Sequence, residues 1–358
     1  MRSDFKFDLY CWACDFSPSR GEGILARHYI KSLSKIKQKN IFIKTPNGNF
    51  NVINGVIKNI NTNNKKNLKL NLNFFENYFN PIIGIIYLWF NYFKGRGVCY
   101  LNFLPLWNLF LFIFLPPRTH LGPITGFIFK KKITSFNFFL RKYLNNFLFM
   151  INLKILFKRQ NKIYFSTDLL KSLILNKNRN KVFFNYLIHL VDIKNTKSKK
   201  KIDFLVYNRN YSVKNNYLRN KLLRVISKMN LNICVIGDHL NFKKIKNLGF
   251  ISREKTIVLL KKTKFIINSG ENPYNIFTID AFNNHADIIY EKIFINKISF
   301  FNKQKLIFLN FNNEKVIKIF LQKKSDNKIK SSKPTIDYEN HKKQNFKYFD
   351  MVKIYYSV

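Results

Sequence analysis

Hydrophobic and polar residues alternate in short blocks along this chain, and the blocks predict strands that are each followed by a polar turn and a helix. The clearest block spans residues 264–282, where an apolar strand at 265–268 leads into a polar turn that carries Glu271. The helix that follows has apolar residues at helical spacing, at Ile276, Ile279 and Phe282. Strands that alternate with helices in this way are typical of an α/β fold built on parallel sheets.

The same order recurs on both sides of a lysine-rich segment at residues 194–201. Before it, the pattern predicts strands at 5–14, 40–44, 51–60, 98–102, 119–121 and 162–167, and helices at 24–36 and 106–115. After it, the pattern predicts strands at 202–207, 232–236, 246–251 and 265–268, and helices at 217–229 and 253–262. Two successive α/β domains are therefore expected.

The polar, charged run at 194–201 has no apolar anchor and is interpreted as the linker between these domains. This places an N-terminal Rossmann-like domain at 1–193 and a C-terminal Rossmann-like domain at 202–325. A tail at 326–358 follows, and it is a candidate to pack back on the N-terminal domain. A chain of 358 residues with 46% hydrophobic side chains is long and apolar enough to bury two such cores.

Two long apolar stretches, at 79–93 and 101–117, raise the question of whether the chain spans a membrane. Each is shorter than the roughly 20 apolar residues that a spanning helix needs, and each is interrupted by polar or proline residues. Neither is expected to span a bilayer. Buried helices, or a face that lies on a membrane surface, are the two interpretations.

The charge balance is strongly basic, with 63 Lys and Arg against 19 Asp and Glu and a formal net charge of +44. Such a charge favours contact with an anionic membrane or a nucleic acid, although a sequence rich in Lys, Asn, Ile and Phe is also what an AT-rich genome produces. No acidic residue occurs from 77 to 167, and aromatic and basic residues are interleaved at 127–150. This segment is expected to suit an anionic membrane surface, with a core helix or an RNA-binding face as alternatives.

Four cysteines in a chain of this length do not indicate a disulfide framework. Cys11 and Cys14 have the spacing of a redox or zinc motif, but no second Cys or His pair completes a tetrahedral site, and an apolar strand is the preferred interpretation. No metal and no cofactor is expected. The first residues lack an apolar signal segment, so a cytoplasmic location is expected. Within the cytoplasm, a peripheral position on the inner face of the membrane is the second interpretation.

The block at 264–282 carries a resemblance to a known family. Its residues Ser269, Gly270, Glu271, Pro273 and Asp280-Ala281 resemble the donor-binding signature of retaining glycosyltransferases of family 4. The resemblance implies a GT-B fold, in which two Rossmann-like domains face each other across a cleft. It also implies that Glu271 binds the sugar hydroxyls and that Asp280 binds the ribose. The sequence departs from the family in having Asp at the second acidic position, with eight intervening residues in place of seven.

The resemblance extends to the first strand of the C-terminal domain. Arg209 follows this strand, and Lys214 lies five positions later, as do the residues that clamp the donor diphosphate in the family. An arginine fork and a lysine charge can neutralise a leaving diphosphate without a metal. Two further sites are candidates for donor binding. One is Gly237, which follows the next strand, and the other is the start of the helix at Asn275, Ile276 and Phe277, where unpaired N–H groups can bind a phosphate.

The N-terminal domain offers three features that the resemblance would place at the cleft. Its first strand leads into a turn with Gly21 and Gly23, for which a tight strand-to-helix turn is the alternative explanation. The turn with Thr125 and Gly126 is expected to open on the same cleft. His120 is a candidate cleft histidine, and a strand histidine with a satisfied hydrogen bond is the alternative.

These features predict a retaining, metal-independent glycosyltransferase that moves a sugar from a nucleotide-diphosphate donor to a glycan or lipid-linked acceptor, in cell-surface polysaccharide assembly. Nucleic acid is not the expected partner. Two alternatives remain, namely a non-catalytic basic protein that binds RNA or a membrane surface, and a degenerate transferase that keeps the fold without turnover.

Overall fold

The protein is represented by a computed structural model that describes residues 7–18, 21–60, 76–101, 109–124, 136–159, 162–185, 199–208, 217–242, 244–268, 273–295, 298, 306–325 and 338–356. The chain divides into two compact units. The first comprises Met1–Ile188 together with Glu339–Val358, and the second comprises His189–Tyr338.

The elements follow one another in α/β order. The strands are β1 (Leu9–Trp12), β2 (Ile41–Thr45), β3 (Gly48–Ile53), β4 (Val56–Asn59), β5 (Gly97–Tyr100), β6 (His120–Leu121), β7 (Ile163–Phe165), β8 (Val182–Phe184), β9 (Ile202–Asn208), β10 (Ile233–Gly237), β11 (Ile245–Asn247), β12 (Thr263–Asn268), β13 (Asp287–Glu291) and β14 (Ile307–Leu309). The α-helices are α1 (Gly21–Lys37), α2 (Glu76–Tyr92), α3 (Leu109–Phe114), α4 (Phe136–Arg159), α5 (Tyr217–Ile226), α6 (Arg253–Lys261), α7 (Ile276–Asn283), α8 (Glu314–Ser325) and α9 (Tyr338–Met351).

The first unit is built on a mixed sheet with the order β4-β3-β2-β1-β5-β6. The central strands pair in parallel, and β5 is buried along its whole length. Parallel strands that are covered on both faces read as continuous apolar runs, which is why 98–102 was recognisable as a strand. Beyond this sheet, β7 and β8 form a separate parallel pair, so the strand predicted at 162–167 is followed by one further strand, at Val182–Phe184, that the pattern did not predict.

The single strand expected at 51–60 is wrong, because this segment forms a hairpin. Its strands β3 and β4 are antiparallel and are joined by Asn54 and Gly55, whose φ angles are 49° and 79°. Positive φ at both central residues is the requirement of a two-residue hairpin turn that matches the twist of its strands, and Asn-Gly is the pair that accepts it best. The dipeptide was therefore a signal that the sequence carried.

The second unit is built on a sheet with the order β11-β10-β9-β12-β13-β14, in which the strand pairings are parallel. Its core combines the inner strands with α5 and α8, through residues such as Phe204, Leu222 and Ile317. The first strand of the unit, β9, lies at the centre of the sheet, where the direction of winding changes. This is the doubly wound topology of a Rossmann-like domain.

The last helix of the chain, α9, packs in the core of the first unit. Tyr348 and Phe349 are fully buried there, and both rings contact Tyr164 of β7. Asn345 accepts hydrogen bonds through Oδ1 from the Tyr164 hydroxyl at 2.9 Å and from Asn185 Nδ2 at 2.8 Å. The chain therefore returns to its first unit after it has completed the second.

Candidate functional site

The carboxyl ends of three neighbouring strands lie at one edge of the second sheet. β9 runs parallel to β10 on one side and to β12 on the other. The three strands end at Asn208, Gly237 and Asn268. Open α/β sheets bind ligands outside the carboxyl ends of their strands at the point where the strand order reverses, which here lies between β9 and β12.

The three residues predicted to act on the donor continue from these strand ends in the sequence. Arg209 directly follows Asn208, with Lys214 five positions later, and Glu271 is the third residue after Asn268. All three lie outside the described residues. The structure thus provides the framework from which they extend, and their roles stay predictions.

A network of hydrogen bonds joins the ends of β9 and β10. The buried amide of Asn208 donates from Nδ2 to the carbonyl oxygen of Asp238 at 2.9 Å. The backbone N–H of Asp238 donates in turn to the carbonyl oxygen of Asn208 at 3.0 Å. The residue immediately before Arg209 is therefore held on both its backbone and its side chain.

Gly237 is required by this local packing. Its φ angle is +93°, and a Cβ atom at this position would lie 2.1 Å from the carbonyl oxygen of Asn208. Its N–H donates to the carbonyl oxygen of Gly249 at 2.8 Å. Because the conformation and the close approach both demand glycine, the tight junction explains this residue without a ligand, and its predicted part in donor binding remains untested.

Arg219 was missed by the sequence analysis and lies at the same junction. This α5 side chain is buried, and its Nη2 donates to Asn208 Oδ1 at 2.7 Å. Burial lowers the pKa of Arg219 to about 10, and its Nε is one of the buried nitrogens that have no hydrogen-bond partner. The Arg219 guanidinium is thus held against Asn208, the last residue of β9, which directly precedes Arg209 in the sequence. The available signal was a charged residue at a helical position whose neighbours on the same face, such as Leu222 and Leu223, are core residues.

The segment that carries Glu271 is fixed at both of its ends. Asn268 Nδ2, at the end of β12, donates to the carbonyl oxygen of Pro273 at 2.9 Å and to Thr278 Oγ1 at 2.7 Å. The Tyr290 hydroxyl donates to the same Pro273 oxygen at 2.8 Å. These bonds hold Asn268 and Pro273, the described residues on either side of 269–272, close together.

The strand and the helix predicted at 264–282 are confirmed as β12 and α7, and the turn predicted between them lies outside the described residues. Asn275 is the N-cap of α7, and Asn275 Oδ1 accepts from the Thr278 backbone N–H at 2.9 Å. The N–H groups of Ile276 and Phe277 belong to the first turn, where an α-helix supplies no partner of its own. The Phe277 ring packs against Tyr207 of β9 with a centroid distance of 5.7 Å, which places the start of the helix beside the carboxyl end of β9. A helix start of this kind can accept a phosphate.

Asp280 lies one turn further along α7 and is paired with Arg253 at the start of α6. The Arg253 fork donates from Nε to Oδ2 at 2.9 Å and from Nη2 to Oδ1 at 2.8 Å. The carboxylate side chain is 4% exposed and the guanidinium side chain 19% exposed. Both Asp280 oxygens are therefore occupied by a bidentate ion pair between two helices, and ribose binding by Asp280 stays a prediction.

In the first unit, the strand-to-helix turn itself explains Gly23. A Cβ atom at Gly23 would lie 2.3 Å from the carbonyl oxygen of Ser17 and 2.9 Å from Asp15 Oδ1. The space beside this glycine is filled by the preceding residues of the chain. Of the two explanations that the sequence allowed for Gly23, this favours a tight strand-to-helix turn over a role at the cleft. Gly21 opens α1 and is exposed, whereas Thr125 and Gly126 lie outside the described residues.

His120 is buried in β6 within a group of aromatic side chains. Its Nε2 lies 2.8 Å from the Tyr29 hydroxyl, which also donates to the Leu121 carbonyl oxygen and lies 3.2 Å from the Tyr348 hydroxyl. Burial lowers the pKa of His120 to about 4, so the ring is neutral at pH 7. The structure therefore gives His120 the satisfied core hydrogen bond that was the alternative to a cleft role.

The Cys11 and Cys14 pair also has a structural setting. Cys11 is buried in β1, where burial raises the pKa of its thiol, and Cys14 Sγ lies 3.2 Å from the Tyr100 hydroxyl. Within the described part of the chain, no group of three His, Cys, Asp or Glu residues could hold a metal ion. The preferred strand interpretation agrees with the placement of Cys11.

Comparison with solved structures finds glycosyltransferases whose architecture is similar to that of this chain. A glycosyltransferase from Rickettsia africae matches with a TM-score of 0.51 at 13% identity, over 97% of this chain and 95% of that one. The Anabaena protein Alr3699/HepE, in complex with UDP and glucose, matches with a TM-score of 0.53 at 9% identity, over 96% and 97%. Sucrose-phosphate synthase from Thermosynechococcus elongatus matches with a TM-score of 0.54 at 8% identity, over 95% and 93%.

No protein-family model matches the sequence, and the comparison with curated proteins gives no match either. At these low identities the structural likeness shows the fold alone. It confirms the expected GT-B fold for this chain.

Proposed function

We propose that this protein is a retaining glycosyltransferase, related to family 4, that transfers a hexosyl residue from a nucleotide-diphosphate sugar to a glycan or lipid-linked acceptor. The observation that carries the proposal is the edge of the second sheet, where Asn208, Gly237 and Asn268 end three adjacent parallel strands beside the start of α7. Arg209 and the Glu271 segment continue from two of these ends in the sequence.

The chemistry at this edge would be mainly electrostatic. As the bond between the sugar and the diphosphate breaks, negative charge grows on the leaving phosphate oxygens. Arg209, Lys214 and the first-turn N–H groups of Ile276 and Phe277 would stabilise that charge, and no metal would be required. Preorganised donors contribute most to such a step, and the hydrogen bonds that hold Asn208, Asn268 and Pro273 would supply this preorganisation.

The remaining assignments concern the sugar and the nucleoside. Glu271 would bind the sugar hydroxyls, and Asp280 would bind the ribose while it stays paired with Arg253. No protein carboxylate is assigned as a nucleophile. The resemblance implies that the acceptor attacks from the face that the diphosphate leaves, which retains the configuration of the sugar.

The structural neighbours support the class of donor. Alr3699/HepE has been crystallised with UDP and glucose and with UDP-glucose, and its TM-scores against this chain are 0.53 and 0.51. For this chain we propose a nucleotide-diphosphate sugar as substrate, with no further cofactor. The acceptor would be bound by the first unit, in a cytoplasmic pathway of cell-surface polysaccharide assembly at the inner face of a membrane.

Calorimetric titration with a panel of nucleotide-diphosphate sugars tests the proposal. The protein is expected to bind one donor selectively in the presence of a chelator. Glu271→Ala and Arg209→Ala are each expected to weaken binding by roughly tenfold or more, since each removes a charged hydrogen-bonding partner. Arg224→Ala is the matched control, because Arg224 is an exposed arginine of α5 in the same unit.

Two results would overturn the proposal. If no donor binds selectively, or if both variants bind as the parent does, a basic surface-binding protein becomes the better interpretation. If the donor binds but is never turned over with any acceptor fraction or with water, the chain is a degenerate transferase. Release of the nucleoside diphosphate, measured by a coupled assay, separates the second result from the expected one.

A further inference from the structure

The helix α2 of the first unit exposes an unusual run of apolar side chains. Four of them, together with Phe93 directly after the helix, form what we call the apolar stripe. The five side chains are between 48% and 78% exposed, and they are Ile82, Ile83, Ile86, Phe90 and Phe93. Their spacing of one, three, four and three residues places them along one side of the helix. The stripe is thus a continuous apolar surface and not a set of scattered exposed residues.

The opposite side of α2 is also apolar, and it accounts for the packing of the helix. Leu88 is fully buried in the core, and a Cβ atom at Gly84 would lie 2.3 Å from the Trp12 ring of β1. Glycine therefore lets the helix approach the sheet closely with this side. The residues of the stripe are not among those that pack in this core, and they stay exposed.

A helix that is apolar on all sides is normally buried inside a protein or spans a membrane. The stripe shows that α2 is not buried on all sides. None of the helices in the described part of the chain is long and apolar enough to cross a bilayer. A helix that lies in the plane of a membrane surface, with one side in the acyl region, satisfies both observations.

The charges next to the stripe indicate which surface it meets. Lys94 lies at its carboxyl end, with Nζ 3.9 Å from the centre of the Phe90 ring. Across residues 77–167 the sequence has twelve basic residues and no acidic one. An anionic lipid surface complements this charge, whereas an RNA partner would use the charge but leave the isoleucine side chains in water.

The aromatic residues that flank the stripe fit the same orientation. Trp89 stacks on Phe93 and packs edge-on against Tyr92, and its indole nitrogen donates to the Phe114 carbonyl oxygen at 2.7 Å. Trp and Tyr settle at the level of lipid headgroups, where one side of the ring is apolar and the other is wet. The helix α3, whose Phe114 accepts this hydrogen bond, also carries the exposed Ile113.

We propose that the apolar stripe and Lys94 dock the first unit on an anionic lipid surface, with α2 lying in the plane of the interface. This inference rests on the peripheral location in the proposed function and names the surface responsible for it. The segment at 127–150, which the sequence had favoured for this role, lies largely outside the described side chains. The stripe does not depend on the donor site, so binding to lipid requires no nucleotide sugar.

Vesicle flotation with the purified full-length protein tests this proposal without any donor present. The protein is expected to float with vesicles that contain phosphatidylglycerol and to bind pure phosphatidylcholine vesicles much more weakly. Ile86→Gln combined with Phe90→Gln is expected to lower the partition coefficient by roughly tenfold or more, because two large apolar side chains no longer enter the interface. Lys94→Gln is expected to lower it by a few-fold at low salt and to have no effect at high salt.

Phe250→Gln combined with Ile319→Gln is the matched control, since these exposed apolar residues lie in the second unit. This control is expected to float as the parent does. All the substituted side chains are exposed, and thermal denaturation checks that each variant is folded.

The proposal fails if the parent does not float with anionic vesicles, or if the Ile86/Phe90 variant floats equally well. It also fails if sedimentation shows a dimer that this variant abolishes, because the stripe would then be covered by a second copy of the chain. Vesicle binding without selective donor binding would overturn the transferase proposal alone, whereas donor binding without vesicle binding would overturn the docking surface alone.

Discussion

At the residue scale, two glycines in the second unit separate two reasons why a position needs glycine. One is a positive φ angle, and the other is a lack of room for a Cβ atom. Gly237 and Gly249 both have positive φ angles, of 93° and 67°. A Cβ atom at Gly237 would meet the Asn208 carbonyl oxygen, whereas one at Gly249 would have no atom within 4 Å. We therefore expect the two positions to respond differently to the same substitution.

Gly249→Ala is expected to lower the free energy of unfolding by about 1 kcal/mol, the cost of a left-handed alanine. Gly237→Ala should cost more than about 2 kcal/mol, because the junction between β9 and β10 must also shift. Urea denaturation of both variants measures the difference. Equal costs would show that the contact with Asn208 is relieved without strain.

The Arg253–Asp280 pair allows a similar comparison between a buried and an exposed ion pair. Arg253→Met leaves the Asp280 carboxylate buried without its partner, and the free energy of unfolding is expected to fall by about 3 kcal/mol. Replacing both residues, as Arg253→Met with Asp280→Leu, should restore much of this loss because no charge remains buried. Urea denaturation measures both variants.

The control for this comparison is the Lys264–Asp203 pair, in which the lysine side chain is 50% exposed. Lys264→Met should cost less than about 1 kcal/mol, because water solvates the remaining carboxylate. A cost for Arg253→Met no larger than this would mean that Asp280 is better hydrated than its burial indicates.

The buried His120 predicts a pH dependence of stability. In the folded protein its pKa is about 4, and in the unfolded chain it is near the ordinary value of about 6.5. Between these values the unfolded chain binds a proton that the folded chain excludes, so stability present above about pH 6.5 is lost as the pH falls towards 4.

We expect this residue to account for a loss of about 2 kcal/mol between pH 7 and pH 4.5. His120→Gln keeps a hydrogen-bonding side chain near Tyr29 but cannot be protonated, and it should show a smaller decrease over the same range. Denaturation curves at the two pH values provide the measurement. Parallel pH profiles for parent and variant would contradict a neutral, buried histidine.

At the scale of elements, the hydrophobic pattern was sufficient where an element had one strong face. The strand and helix at 264–282 and the buried strand β5 were predicted from their apolar runs. The pattern failed at β3 and β4 because both segments are weakly apolar, and the Asn54-Gly55 turn that separates them went unused. It also could not distinguish the two interpretations of 79–93, since a helix that is apolar all round carries no periodic signal.

The helix α9 lies in the tail that the sequence offered as a candidate to pack on the N-terminal domain, and the structure shows which of its residues are buried there. The helix is rich in charged residues and gives little apolar pattern, yet Tyr348 and Phe349 are buried in the first unit. We expect Tyr348→Ala to lower the free energy of unfolding by about 3 kcal/mol or more, because it removes a ring packed among other aromatic residues.

Phe346→Ala is the control on the same helix, because Phe346 is 59% exposed. It should change the free energy of unfolding by less than about 0.5 kcal/mol. Chemical denaturation of the full chain measures both variants. Similar costs for the two would mean that α9 adds little to the stability of the first unit.

At the scale of the whole molecule, the net charge of +44 implies strong repulsion among its side chains. Salt screens this repulsion over about 10 Å at 0.1 M and about 3 Å at 1 M. The melting temperature is therefore expected to rise by several degrees between 50 mM and 500 mM sodium chloride. Differential scanning fluorimetry measures it, and a melting temperature that is constant or falls with salt would show that the positive charges are locally compensated.

The sequence by itself determined the class of fold and the alternation of strands and helices, and it predicted where the candidate site lies. These depend on local periodicity and on residues that are consecutive in the chain, such as Asn275 at the start of α7, and such information is present without the fold. The resemblance at Glu271 and Asp280 belongs to the same kind of information.

Only the tertiary structure decided which residues are partners across long separations in the chain. It paired Asp280 with Arg253, placed Arg219 behind Asn208, buried His120 against Tyr29 and returned α9 to the first unit. It also showed that the apolar side chains of α2 divide between the core and solvent. Burial and pairing are properties of the packed chain, because the free energy of each side chain depends on neighbours that the sequence separates by tens or hundreds of residues.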